Sequence, residues 1–321
     1  MLALSRLAAS LLVISCAFTS RAALAQDYPT RAVQLVVPNA AGTVLDIMAR
    51  VLGAPMSKLL GQPVVVENRP GVESIVGYDY VVNHAPADGY TIAAVLLTDF
   101  ATLPVTRKEL RFDPLKDLPP IIIFAEGRTT LGSASKLAWK TFSEFVAHAK
   151  ANPGKLNYGA SGAYGRLLSE ALIRQLGLDI VHVPYKGGAA FVLALGEGEV
   201  QMGIVSESAA VSLGGKFRVL AVTGNTRSSK FSDAPTFSEV GIPRMRGLTF
   251  SLNARAGIPK VAVDKLHGAA SQALRQPDVS ALIEKVQMDV LNIGPDAAAR
   301  RLAEEARIFA EIAKVVGMKP E

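Results

Sequence analysis

The chain has 321 residues, half of them hydrophobic and only 6% aromatic, with 34 Lys and Arg against 28 Asp and Glu for a formal charge of +6. The basic residues are spread out with no run of five or more, which argues against a nucleic-acid patch, and one cysteine cannot build a disulfide framework. This is the profile of an alanine- and valine-rich α/β protein with a sizeable core, and its length suggests two domains.

Arg6 precedes an apolar run from Leu7 to Ile14, and Ala23-Leu24-Ala25 follows, the charged, apolar, small order of a secretory signal. Residues 1–25 are therefore expected to be removed, leaving a periplasmic protein that begins near Gln26. The run is too short to span a bilayer, and no later stretch of ~20 uninterrupted apolar residues follows. Cleavage would also remove Cys16. Val13-Ile14-Ser15-Cys16 has a lipobox-like form, so a lipoprotein anchored at Cys16 stays open as the rival signal class.

Beyond Pro29, apolar runs of strand length alternate with amphipathic segments, the rhythm of strand-helix units on mainly parallel sheets. Val33–Val37 reads as the first strand and Thr43–Leu60 as a helix with apolar positions three and four apart, ended by Gly61 and expected to kink or break early at Pro55. Strands at Pro63–Glu67, Tyr90–Leu97 and Pro119–Phe124 complete a first half. A second half opens at Thr141-Phe142-Ser143-Glu144, a capping box starting a helix to about Ala151. Strands at Leu156–Gly159, Ile180–Pro184, Val200–Val205 and Arg218–Thr223 then alternate with helices at Tyr164–Leu176 and Ala189–Leu195. After a Pro/Ser-rich stretch, a strand near Leu248–Asn253 and helices near Val261–Leu274 and Pro295–Val316 read as a return to the first half. The expected division is a signal peptide at 1–25, a first lobe at 26–126 resumed at 248–321, and a second lobe at 127–247.

Strand-to-helix loops at the carboxyl ends of strands are where open α/β sheets bind ligands. The first, Pro38–Asp46, offers Asn39, Ala41, Gly42, Thr43 and Asp46 at a helix N-terminus, whose free N–H groups suit a carboxylate or phosphate. It lacks both the Gly-x-Gly-x-x-Gly and phosphate-loop patterns, so no nucleotide cofactor is expected. Its counterpart in the second half supplies Ser161, Gly162, Ala163, Tyr164 and Arg166. Gly159-Ala160-Ser161-Gly162-Ala163 misses Gly-x-Ser-x-Gly at its last position, which makes Ser161 a hydroxyl donor rather than a nucleophile. A third loop places Tyr185 as a possible cleft wall beside Lys186. His84, His148, His182 and His267 have no metal-ligand spacing, and no carboxylate pair suggests acid-base catalysis.

Read together, several segments resemble the Bug family, the extracytoplasmic solute receptors of tripartite tricarboxylate transporters. They are Tyr28-Pro29-Thr30-Arg31, Gly61 through Gly71 (GQPVVVENRPG), Ala87-Asp88-Gly89-Tyr90-Thr91, Asp113-Pro114-Leu115-Lys116-Asp117, Ala151 through Tyr158 (ANPGKLNY) and His182 through Gly187 (HVPYKG). The resemblance implies a two-lobed Venus-flytrap of the type II periplasmic binding-protein kind. Such a receptor has no catalytic residues, metal or cofactor, and is taken here as a monomer that delivers a small organic acid to membrane transporter subunits. It also implies that one loop per lobe clasps a carboxylate, Pro38–Asp46 and Ser161–Arg166 in this chain. The chain departs from the family pattern at Asn39 and Thr43, at Val72-Glu73-Ser74 in place of a small, glycine-rich stretch, and at Val205, where an aspartate is frequent, with Ser206 following. These departures point to an unusual far end of the ligand, amine-bearing or neutral. A sensor of the same fold acting on a membrane signalling protein stays open, and a hydrolase built on Ser161 is the distant alternative.

Overall fold

The computed structural model describes residues 28–71, 74–160, 162–185, 188–242 and 245–320. The chain runs β1 (Val33–Val37), α1 (Val44–Leu60), β2 (Val64–Asn68), α2 (Ile75–Asp79), β3 (Thr91–Leu96), α3 (Leu97–Thr106) and β4 (Pro120–Gly127). It continues as β5 (Thr129–Ala134), α4 (Phe142–Ala151), β6 (Leu156–Ala160), α5 (Ala163–Leu176), β7 (Ile180–Pro184), α6 (Gly188–Glu197), β8 (Met202–Ser206), α7 (Glu207–Leu213) and β9 (Phe217–Val222). The last part is β10 (Leu248–Ala254), α8 (Lys260–Ala273), α9 (Pro277–Lys285), β11 (Met288–Ile293) and α10 (Pro295–Val316). Two sheets result, one ordered β11-β4-β10-β3-β1-β2 and one ordered β7-β6-β8-β5-β9.

Helices flank both sheets, and the α/β two-lobed architecture is as expected, with most strands of each sheet running in one sense and a few inserted against them. Among the described residues, β1 pairs in parallel with β2 and β3, but β10 is antiparallel to β3 and β4, and β11 to β4. In the second sheet β6 is parallel to β7 and β8, while β5 is antiparallel to β8 and β9. The cause is the path of the chain between the sheets. Strands β1 to β4 and β6 to β9 end at the cleft, so β5 and β10, which continue from strands ending there, must start at the cleft and run away from it. Each inserts between strands of the opposite sense.

The early break expected at Pro55 does not occur, and α1 runs through to Leu60 before Gly61 ends it with φ of 67°. Leu52 and Met56 on either side of the proline are fully buried, so packing outweighs the lost backbone bond. At α4 the Thr141 hydroxyl accepts the Glu144 N–H as the capping box requires, and the Glu144 carboxylate takes the Lys140 N–H at 2.6 Å.

One apolar core lies between the first sheet and helices α1 and α8. A second is continuous across the lobes, joining Phe100 of α3 to Leu167 and Leu168 of α5 through Phe309 of α10. Arg301 of the same helix bonds Glu126 of β4 at 2.6 Å and Glu305 at 3.1 Å, anchoring α10 beside the point where the chain leaves the first sheet. The fully buried Phe309 ring meets Tyr164 edge-on at 5.8 Å. Phe309→Ala is expected to destabilise the fold by ~3–5 kcal/mol, read as a lower urea midpoint.

Candidate functional site

The second lobe presents an open helix start. β6 ends at Ala160 and α5 begins at Ala163, with Gly162 as an extended N-cap residue that provides no side-chain cap and no acidic residue in the first turn. The first N–H groups of a helix have no partner within it and carry the positive end of its dipole. Behind this loop, β6 and β8 place glycine where α6 packs against them. A Cβ at Gly159 or Gly203 would come within 2.6 Å of the Phe191 ring. Phe191 can therefore lie flat across two strands and form a wall.

That wall belongs to a cavity of about 250 Å³ between the lobes. The first lobe contributes Leu96 and Asp99 from the β3–α3 junction, and the two chain crossings contribute Thr129 and Leu248. The second lobe contributes Gly162, Tyr164 and Gly165 from the start of α5, Gly188, Phe191 and Val192 from α6, and Ile204, Val205, Ser206 and Ala209 from the β8–α7 junction. Of the residues expected from sequence, Gly162, Tyr164 and Ser206 are brought together here. The Tyr164 hydroxyl bonds the Arg246 carbonyl, and burial, with the charges of Glu305 and Asp99, holds its phenol well above the usual tyrosine range. Ser206 is the N-cap of α7, its Oγ accepting the Ala209 N–H at 3.2 Å.

Ala163, Arg166 and Tyr185 line an adjoining cavity of about 210 Å³ that shares Gly162 and also takes in Arg107, His182 and Lys319. Asn39, Ala41, Gly42, Thr43 and Asp46 line neither cavity. Asn39 accepts a bond from Ser74 at 3.2 Å, and Thr43 donates to the Ala40 carbonyl at 2.9 Å. Asp46 is buried and turned back into its own loop. Its carboxylate accepts the Gly42 N–H at 2.9 Å and Asn68 Nδ2 at 2.9 Å, and pairs with Arg50 at 2.9 Å. Burial pushes its pKa up, but these bonds outweigh burial and leave it below the usual aspartate value. Glu73 and Ser161 lie outside the described residues.

Sequence reasoning missed Asp99, Thr129, Phe191 and Leu248. For Asp99 a signal existed, since Thr98-Asp99 falls at the end of a strand-like run where a helix can start. The others are legible only once the two lobes are assembled.

Two α/β lobes joined by two strand crossings, with helix starts from the second lobe and the β3–α3 junction of the first around a shared cavity, form a periplasmic binding protein fold. The model of the tripartite tricarboxylate transporter family receptor matches residues 48–318, and the chain belongs to that family. A UPF0065 protein of the gbd 5′ region of Cupriavidus necator is 35% identical over 316 residues, 97% of this chain and 95% of that protein. BugT of Bordetella pertussis is 30% identical over 305 residues, 92% of each. Among solved structures, an R. palustris protein with adipate is 30% identical with a TM-score of 0.83, covering 92% of this chain and all (100%) of that one. MatC from Rhodopseudomonas palustris with bound malate is 30% identical with a TM-score of 0.78, covering 90% of this chain and 100% of the other. The Bug resemblance seen in the sequence motifs thus holds, and the relatives are solute-binding proteins.

Two outcomes follow from this geometry. Ser206→Ala removes the α7 cap and should lower stability by ~1 kcal/mol in urea unfolding. Asp46 has a folded pKa below its unfolded one, so the stability it contributes is present above pH ~4 and lost as pH falls through the folded value. Asp46→Asn should therefore be less stable than wild type at neutral pH, the gap narrowing as melts are repeated toward pH 3.

Proposed function

We propose that the protein is a periplasmic receptor that captures a small carboxylate between its lobes and presents it to the membrane subunits of a tripartite tricarboxylate-type transporter. The observation that carries the reading is the start of α5, whose N-cap Gly162 makes no side-chain cap, on the wall of a cavity to which both lobes contribute. The family membership and the adipate and malate of two relatives support the ligand class.

In this reading the backbone of Gly162–Gly165 receives the carboxylate, with Ser206 across the cavity, and Ser161, which lies outside the described residues, stays a contact proposed from the sequence alone. The first lobe is residues 26–126 with 248–321, the second 127–247, and the lobes close about the crossings. Closure brings the Asn39–Thr43 loop toward the ligand, because a ligand touching both lobes binds the closed state better than the open one; Glu73, outside the described residues, stays a contact proposed from the sequence alone. The protein acts as a monomer without cofactor or catalysis, exported by its first 25 residues and released without a lipid at Cys16.

A thermal-shift screen of mono- and dicarboxylates tests this. A true ligand at ~100 times its Kd should stabilise the fold by ~2.7 kcal/mol, and scattering should show a smaller radius of gyration on saturation. Gly165 lines the cavity with only Ala160 Cβ near its missing side chain, at 3.9 Å. Gly165→Leu should accordingly leave a folded protein whose affinity falls at least tenfold in calorimetry. A panel in which no carboxylate shifts the melt would overturn the proposal.

A further inference from the structure

Glu305 of α10 is a buried carboxylate that is only half answered, with 4% of its surface exposed. Its Oε1 accepts Arg301 Nε at 3.1 Å and the Thr249 hydroxyl at 3.4 Å, while Oε2 is buried with no partner among the described residues. Arg301 does not serve it alone, since the same guanidinium holds Glu126 of β4 at 2.6 Å. Two carboxylates thus share one cation, and a buried charge without its full set of partners is costly. Burial pushes the Glu305 carboxyl up; Arg301 opposes this, Glu126 adds to it, Arg246 opposes it, and the carboxyl stays above the usual glutamate value.

This carboxylate stands where the lobes join. Thr249 lies at the start of β10, just beyond the second crossing, and a cavity of about 520 Å³ follows both crossings, with Gly127, Arg128, Thr223, Arg246 and Glu305 on its wall. The other charges on that wall are occupied or solvated. Arg128 is held by the Thr223 and Thr226 carbonyls, Glu304 faces Arg246 at 3.8 Å, and Asp289 of β11 is exposed. From the second lobe, Tyr164 of α5 meets Phe309 one turn further along α10, and its phenol feels the charge of Glu305 ahead of those of Asp99 in α3 and Glu126. Parting α5, α10 and the second crossing would let water reach Oε2, and water favours the ionised carboxylate.

We infer that Glu305 is a proton latch on the lobe junction, carrying a proton while the elements around it are packed and releasing it to water when they part. No ligand takes part in the link, so it stands or falls apart from the receptor reading. The stability that the neutral carboxyl supplies is fully present below the usual glutamate value and is lost as pH rises through the raised folded value. Rising pH therefore loosens the junction.

Hydrogen exchange of the Thr129 and Thr223 amides, which bond the two crossings to each other, reads the latch in protein without ligand. After correction for the intrinsic rate, their protection in wild type should fall about tenfold between about pH 5 and about pH 8. Glu305→Gln and Glu305→Met, two neutral replacements of similar length, should hold it within about twofold over that range, and Glu304→Gln, at the exposed neighbour, should behave like wild type. Wild-type protection that does not fall with pH overturns the inference even if neither neutral variant folds. A fall that persists in both neutral variants overturns it too, as does one that Glu304→Gln abolishes. A carboxylate screen without a hit would overturn the receptor reading and leave the exchange result as it stands.

Discussion

Where the chain passes between the lobes, its two crossings are bonded to each other. The Thr223 N–H donates to the Thr129 carbonyl at 2.9 Å, the Thr129 N–H donates to Thr223 Oγ1 at 2.8 Å, and the Arg128 guanidinium reaches the Thr223 carbonyl at 3.0 Å. Backbone groups that would otherwise lose their ladder partners between two sheets are satisfied by one another. Two separate connections are thus tied into one bonded strip of a few residues. The cavity is built against this strip, since Thr129 forms part of its wall, and Tyr164 ties the start of α5 to the second crossing through the Arg246 carbonyl. A small rotation there changes the distance between the lobes most at the cleft mouth and least at the cavity floor.

The two strand-to-helix loops that look equivalent in sequence differ in electrostatics. At α1 the N-cap Thr43 makes no side-chain cap, but the first turn carries the acidic Asp46, which holds the Gly42 N–H just before the helix and is itself held by Arg50 and Asn68. At α5 the N-cap Gly162 likewise makes no side-chain cap, and no acidic residue stands in the first turn. A carboxylate near α1 would meet the charge of Asp46, while one at α5 would meet a first turn without an acidic residue. The first lobe's loop is therefore braced by its own ion pair.

Much of the architecture could be read from residue pattern alone. The alternation of β-branched runs with helices of three- and four-residue apolar spacing placed β1, α1, β6, α5 and α10 within a residue or two. Helix α3 was not read from the sequence, where the strand ends at Leu97, because Leu97–Thr106 is short, mixes three threonines among its apolar residues and contains Pro104. Strand β5, Thr129–Ala134, is short and contains Gly132, whose missing side chain makes room for the Phe217 ring; nothing local marks it as a buried central strand. At the site, the helix start of α5 was legible from the glycine-rich junction. The private role of Asp46 was not, because Asn68, one of its partners, comes from the next strand, and the place of Asp99 depends on an undetected helix.

The interior position of β10 governs the order in which the molecule can assemble. In the first sheet β3 and β4 are joined only through β10, so the strands made first stay as two unconnected pieces until residues 248–254 are available. The strands of the second sheet all lie within residues 129–222 and need nothing from either end of the chain. For a chain synthesised from its N-terminus, the lobe encoded in the middle can complete its sheet before the lobe encoded first. The first sheet is the one that joins strands from both ends of the chain, so its apolar faces can be covered only once residues 248–254 have been made.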